Sequence, residues 1–150
     1  MRKLLETPTS LETPISADLP PIPADMNRAV LDEMTRRIIG AAQAVSSKLG
    51  VGFLEKVYEN ALGVELRRSG LAVEHQRPIV VLYDGVAIGD YIPDLVVENQ
   101  IIVEIKSLPF LERAHRMQCI NYLRATGLRV CLLLNFGQRR LEVRRLVMKF

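Results

Sequence analysis

Tryptophan is absent from the 150 residues and cysteine occurs only twice. Cys119 and Cys131 lie in apolar segments with no CxxC or CxxH spacing nearby, which argues against a disulfide framework or a zinc site and reads both as core. No run of about 18 uninterrupted apolar residues occurs, so no membrane partner is expected. The opening Met1-Arg2-Lys3-Leu4-Leu5-Glu6-Thr7-Pro8 lacks the apolar stretch of a secretory signal, and a cytoplasmic location is the expectation. There is no Gly-x-x-x-x-Gly-Lys loop to point to nucleotide hydrolysis. Aromatic residues make up 5% of the chain and do not interleave with basic ones, so stacking on unpaired bases is not suggested. Neither charge dominates: 20 Lys and Arg against 17 Asp and Glu leave a net charge of +3, which permits a polyanionic partner without demanding one.

What is present is the composition of a packed domain, 49% hydrophobic and 25% charged, in a chain long enough for one core. Five of the eight prolines (Pro8, Pro14, Pro20, Pro21 and Pro23) fall in residues 1–25, which read as a flexible tail ahead of a domain over 26–150. From Met26 to Leu49, Val30, Leu31, Met34, Ile38, Ala41, Ala42 and Val45 recur at helical spacing, with Asp25 as a candidate cap. A second helix starts near Phe53 and stops at Ser69-Gly70. Strand-like runs follow at Leu71 to Arg77, Ile79 to Tyr83 and Val86 to Tyr91, the last two joined by Asp84-Gly85, in the manner of a meander. The three polar residues Glu98-Asn99-Gln100 separate Pro93 to Val97 from Ile101 to Lys106 as a hairpin loop. Pro109 opens a helix from about Leu111 to Thr126, which Gly127 ends. Leu128 to Asn135 suits a strand buried on both faces. A basic strand over 140–149 closes the chain.

Glu104 and Lys106 stand two apart in an apolar run, so alternation places them on one strand face. With Glu98-Asn99-Gln100 as the loop, Val97 faces Ile101 and Asp94 faces Glu104. Two carboxylates side by side repel unless a cation lies between them. Mg²⁺ or Mn²⁺ would resolve that repulsion, with the backbone carbonyl of Ile105 as a third oxygen and Lys106 beside the ion to assist an attacking water. By themselves these residues also read as an edge-strand salt bridge and a turn aspartate.

The order helix, meander, Pro-Asp, Glu-x-Lys, helix resembles the PD-(D/E)xK nuclease superfamily. Gly52-Phe53-Leu54-Glu55-Lys56-Val57-Tyr58 is similar, more narrowly, to the signature of the GxxExxY protein family, and the likeness runs from about Met34 to Val147. It takes in Ile102-Val103-Glu104-Ile105-Lys106 and Asn121-Tyr122-Leu123-Arg124-Ala125-Thr126-Gly127. The resemblance implies an α/β, restriction-endonuclease-like fold, a mixed central sheet flanked by helices. It also implies Asp94, Glu104 and Lys106 as catalytic residues, joined by a helical glutamate that binds metal or its water. The signature favours Glu55 for that role, with Glu59 second, because the two share a helix face and periodicity does not separate them. Gln118, to position the nucleophile, and Tyr122 form the expected site-facing pair on the later helix. His115 is a further candidate for phosphate contact or proton donation, against the plainer reading of a surface histidine. His75 is given no role.

Arg113, Arg116, Arg144 and Arg145 are candidate phosphate contacts, with solvated faces as the default reading of such charges. The function expected is Mg²⁺- or Mn²⁺-dependent phosphodiester hydrolysis of nucleic acid, DNA favoured over RNA, with a homodimer compatible with one site per domain. The alternative is a catalytically inactive nuclease-fold module that binds nucleic acid or regulates.

Overall fold

The computed structural model describes residues 24–148, so the expectation of a flexible tail falls, but for its last two residues, outside the described residues. Helix α1 spans Ala24–Leu49 and α2 spans Glu55–Arg68. Asp25 therefore lies inside α1 and does not precede it as a cap. Seven strands follow: β1 (Val73–His75), β2 (Ile79–Tyr83), β3 (Val86–Tyr91), β4 (Leu95–Val97), β5 (Ile101–Lys106), β6 (Val130–Asn135) and β7 (Glu142–Val147). Helix α3, Arg113–Thr126, connects β5 to β6. It starts four residues after Pro109, where Glu112 and His115 form a capping box, so that box and not the proline sets its first turn.

Five strands form one sheet in the order β1-β4-β5-β6-β7, with β5 and β6 parallel and the other neighbours antiparallel. The expected meander is not formed. β1 pairs with β4, while β2 and β3 make a separate two-stranded sheet whose Asp84-Gly85 turn has both residues at positive φ. The apolar pattern explains the separation, because Ile79 and Val81 bury against the α3 side of the main sheet with Val96, Ile102, Cys119, Tyr122 and Leu133.

The opposite face carries the second core. Leu31, Ile38, Ala42 and Val45 of α1 and Tyr58, Leu62 and Leu66 of α2 cover Leu95, Val97, Ile101, Val103 and Ile105. With helices on one face and α3 on the other, β5 and β6 are covered twice, which is why their sequences are nearly continuous apolar runs. The expected hairpin register holds: Val97 pairs with Ile101 and Leu95 with Val103. Glu98 and Asn99 take left-handed backbone at the turn, and the N–H of Glu98 donates to the Ala72 carbonyl, tying the turn to the residue before β1. Gly127 ends α3 in the left-handed conformation at φ 76°. Both cysteines are buried and free. Among the described residues no helix is long and apolar enough to cross a membrane.

Candidate active site

The register that pairs Leu95 with Val103 carries Asp94 opposite Glu104 at the end of the sheet where β5 and β6 both terminate. The two residues are interlocked. The Asp94 N–H donates to Glu104 Oε1 at 3.0 Å, and the Ile105 N–H donates to Asp94 Oδ2 at 2.7 Å. In the same register Pro93 faces Ile105 and has no N–H to offer the Ile105 carbonyl.

Glu104 is 4% exposed, and burial followed by the neighbouring Asp94 charge pushes its carboxyl up to about 8. Burial also raises Asp94, against the opposing effect of its Ile105 hydrogen bond. The Lys106 ammonium stands 3.9 Å from Glu104 Oε2, and the Tyr122 hydroxyl approaches the same oxygen at 3.5 Å. Burial is also what raises the Tyr122 phenol most, with Glu104 and Asp94 adding to it, so it stays a proton donor. Its ring is held edge-on to Tyr91 at a centroid distance of 5.4 Å.

The structure brings Glu59, and not Glu55, to this cluster. Glu59 is 3% exposed in the middle of α2. Its Oε1 accepts from Gln76 Nε2 at 2.9 Å, and its Oε2 takes the Nδ1–H of His75 at 2.8 Å. Gln76 Nε2 also reaches Asp94 Oδ1 at 3.2 Å, and the Gln76 N–H donates to the Asp94 carbonyl, so one side chain bridges the helical and strand acids. Gln76 has a φ of 51°, the left-handed turn that ends β1 and aims its amide back at Asp94. Gly63 lies one turn beyond Glu59, and a Cβ there would stand 2.6 Å from His75 Nε2, so the imidazole reaches Glu59 across a gap that only glycine leaves.

Glu55 is exposed at the first turn of α2, where a carboxylate faces the positive end of the helix dipole. Tyr58, three residues on, is fully buried. Its hydroxyl donates to the Gly50 carbonyl at 2.6 Å and accepts the Phe53 N–H at 3.2 Å, and its ring stacks on Phe136 at 4.7 Å. The Gly-x-x-Glu-x-x-Tyr segment thus shapes the turn into α2, and the acid one helical turn further on meets the site.

Gln118 is half-buried one turn before Tyr122 on α3. His115 is engaged at the helix start, where its Nδ1 accepts the Glu112 N–H at 2.9 Å. Arg113 and Arg116 are exposed on the first turn of α3. Arg144 pairs with Glu142 at 3.0 Å and Arg145 with Asp32 on α1, so both of these candidate phosphate contacts are occupied within the chain.

Among the described residues no three His, Cys, Asp or Glu side chains group around one metal position. An ion here would rest on the carboxylates of Asp94 and Glu104 and on the Ile105 carbonyl. That all-oxygen set fits Mg²⁺ or Mn²⁺, which keep several waters and need only one or two protein carboxylates. His75 and Gln76 were not legible as site residues; the only hint was that a histidine and an amide close a short strand just before a turn.

The family model of the PD-(D/E)XK nuclease superfamily matches residues 32–146, more than half of the chain. No curated protein and no solved structure matches it.

Proposed function

The chain belongs to the PD-(D/E)XK nuclease superfamily, and on that premise we propose that it hydrolyses phosphodiester bonds of nucleic acid in line, with Mg²⁺ or Mn²⁺, DNA being the first substrate to test. The observation that carries this reading is the interlocked pair Asp94 and Glu104, two desolvated carboxylates facing each other with both carboxyls pushed upward. Such a pair costs stability in the free protein and becomes favourable when a cation is held between its members.

In this reading Asp94, Glu104 and the Ile105 carbonyl hold the ion. When bound, such an ion would supply Lewis acidity for phosphodiester hydrolysis. Lys106 faces the same space from the end of β5 and orients the attacking water or stabilises charge developing on the phosphate. Tyr122 fixes the Glu104 carboxylate by donating to its outer oxygen. Glu59 acts through Gln76, which holds Asp94 in place, and His75 fixes Glu59 in turn. In this reading Gln118, half-buried one turn before Tyr122 on the same helix, is assigned the positioning of the nucleophile. Likeness of Gly52 to Tyr58 to the GxxExxY signature supports placement in that narrower family.

The test is cleavage of mixed DNA and RNA substrates by the purified chain while Mg²⁺ and Mn²⁺ are titrated. Metal-dependent cleavage lost in Asp94→Asn is the expected result. A wild-type chain that binds nucleic acid but cuts nothing at any metal concentration overturns the proposal in favour of a binding module.

A further inference from the structure

A cavity of about 550 Å³ lies between the last turns of α1 and the loop joining β6 to β7, lined by Gln43, Ser46, Ser47, Arg139, Arg140 and Leu141. It contains none of the acidic cluster. Its lining offers two guanidiniums, two hydroxyls and an amide, with no carboxylate and no aromatic ring. Among the described residues, the side chains of Gln43, Ser46, Ser47, Arg139 and Arg140 have no hydrogen bond or ion pair. That sets Arg139 and Arg140 apart from Arg144 and Arg145, which are held by Glu142 and Asp32.

The loop carrying these arginines is fixed to the catalytic end of the sheet. The Phe136 N–H donates to the Lys106 carbonyl at 2.8 Å. Asn135 Oδ1 accepts the N–H of both Leu108, at 2.9 Å, and Gly137, at 3.0 Å, and Asn135 Nδ2 donates to the Leu108 carbonyl. Asn135 is completely buried, so the exits of β5 and β6 are one braced unit. Arg139 and Arg140 thus present charge at the same sheet end as Glu104 and Lys106.

We infer that this cavity binds a sugar–phosphate segment of the nucleic acid flanking the cleaved bond, with Arg139 and Arg140 on phosphate oxygens and Ser46, Ser47 and Gln43 completing the donor set. Arginine, serine and glutamine are standard donors to backbone phosphates, and contacts of this kind set position without reading sequence. The missing ring argues against a stacked base, and the missing carboxylate against a cationic ligand. The inference deepens the nuclease reading and rests on nucleic acid being the ligand.

The experiment titrates a fluorescein-labelled DNA duplex with full-length protein in chelator, over a salt series, so that cleavage does not enter the readout. Arg139→Gln/Arg140→Gln is expected to weaken binding on the order of tenfold at low salt and to make the salt slope shallower by about two. Its thermal melt should match wild type, because neither arginine is bonded within the described chain. Ser47→Asp, which leaves both arginines in place and puts a negative charge among them, should weaken binding as well. Arg144→Gln/Arg145→Gln should change the slope less. An unchanged Kd and slope in Arg139→Gln/Arg140→Gln overturns the inference, as does failure of wild type to bind the duplex at low salt. Inorganic phosphate is the competing source: saturable displacement of the duplex by phosphate at low millimolar concentration, beyond its ionic strength, would assign the cavity to a free anion. Cleavage is assayed separately. Binding through Arg139 and Arg140 without cutting would sink the nuclease reading alone, whereas cutting by wild type with normal binding by the double variant would sink this inference alone.

Discussion

Asp94 and Glu104 hold each other across the β4–β5 hairpin: the backbone N–H of Asp94 binds the Glu104 carboxylate at 3.0 Å, while the Asp94 carboxylate binds the N–H of the residue after Glu104 at 2.7 Å. Each acid is therefore fixed by the other's strand, and neither can turn away to relieve the repulsion. Geometry is retained at the expense of charge.

A divalent cation should relieve that repulsion and raise the melting temperature of wild type in proportion to its occupancy. Asp94→Asn should abolish both the metal-dependent rise and cleavage. Its metal-free stability should stay within about 1 kcal/mol of wild type, because lost repulsion is offset by a poorer match to Gln76, whose Nε2 donates to Asp94 Oδ1. Lys106→Ala should keep the metal response and lose turnover, since the ammonium is not a ligand. Calorimetric metal titration of the three proteins beside a cleavage assay checks this, and equal metal binding by all three contradicts it.

Stability of the metal-free protein should fall as pH rises. The Glu104 carboxyl titrates at about 8 in the folded chain against an ordinary 4.5, so between these values the folded state holds a proton that the unfolded state has released. This contribution is complete below about pH 4.5 and is lost as pH climbs through about 8. Saturating Mg²⁺ should reverse the trend, because ligation needs the ionised carboxylates and stabilisation then grows with pH. Melts across this range with and without metal give the sign directly. Glu104→Gln should flatten the metal-free dependence, and a wild-type slope in that variant would place the titration elsewhere.

Glu59→Gln and Glu55→Gln should separate the two helical acids. Glu59 is buried and accepts from His75, Gln76 and, at 3.3 Å, Lys56. An amide there must oppose at least one donor with its own, which should cost about 1–3 kcal/mol and lower cleavage by roughly 10–100-fold. Glu55→Gln changes only an exposed charge at a helix start and should leave both nearly as in wild type. The reverse ranking in a cleavage assay would return the catalytic role to Glu55.

Part of this arrangement is legible in the sequence. The hairpin of β4 and β5 could be read because a three-residue polar loop and strict two-residue alternation fix its register locally, and Asp94 opposite Glu104 follows by counting. The choice between Glu55 and Glu59 could not, since both lie on one helix face and what distinguishes them is Gln76, a residue placed by a left-handed turn 17 positions away. The same holds for β1, whose partner β4 lies beyond the intervening hairpin, and for Arg145, whose charge is met by Asp32 113 residues earlier in the chain. Short-range patterns were visible; pairings made by the folded core were not.

Gly137→Ala tests whether the braced exits of β5 and β6 support catalysis. A Cβ at Gly137 would stand 2.1 Å from the Leu108 carbonyl oxygen and 2.3 Å from the Leu108 nitrogen. Both are backbone atoms, held by Asn135, so no side chain can swing aside to make room. The loop must separate from Leu108, which breaks the Asn135 bonds and should cost about 1–3 kcal/mol, the usual range for overpacking. Because Leu108 follows Lys106 by two residues, the displacement should also move the lysine relative to Glu104 and reduce cleavage while metal binding by Asp94 and Glu104 persists. Melting temperature, metal titration and turnover measured on the one variant separate these effects. A Gly137→Ala protein that melts and cuts like wild type would mean that the two strand exits are not braced as described.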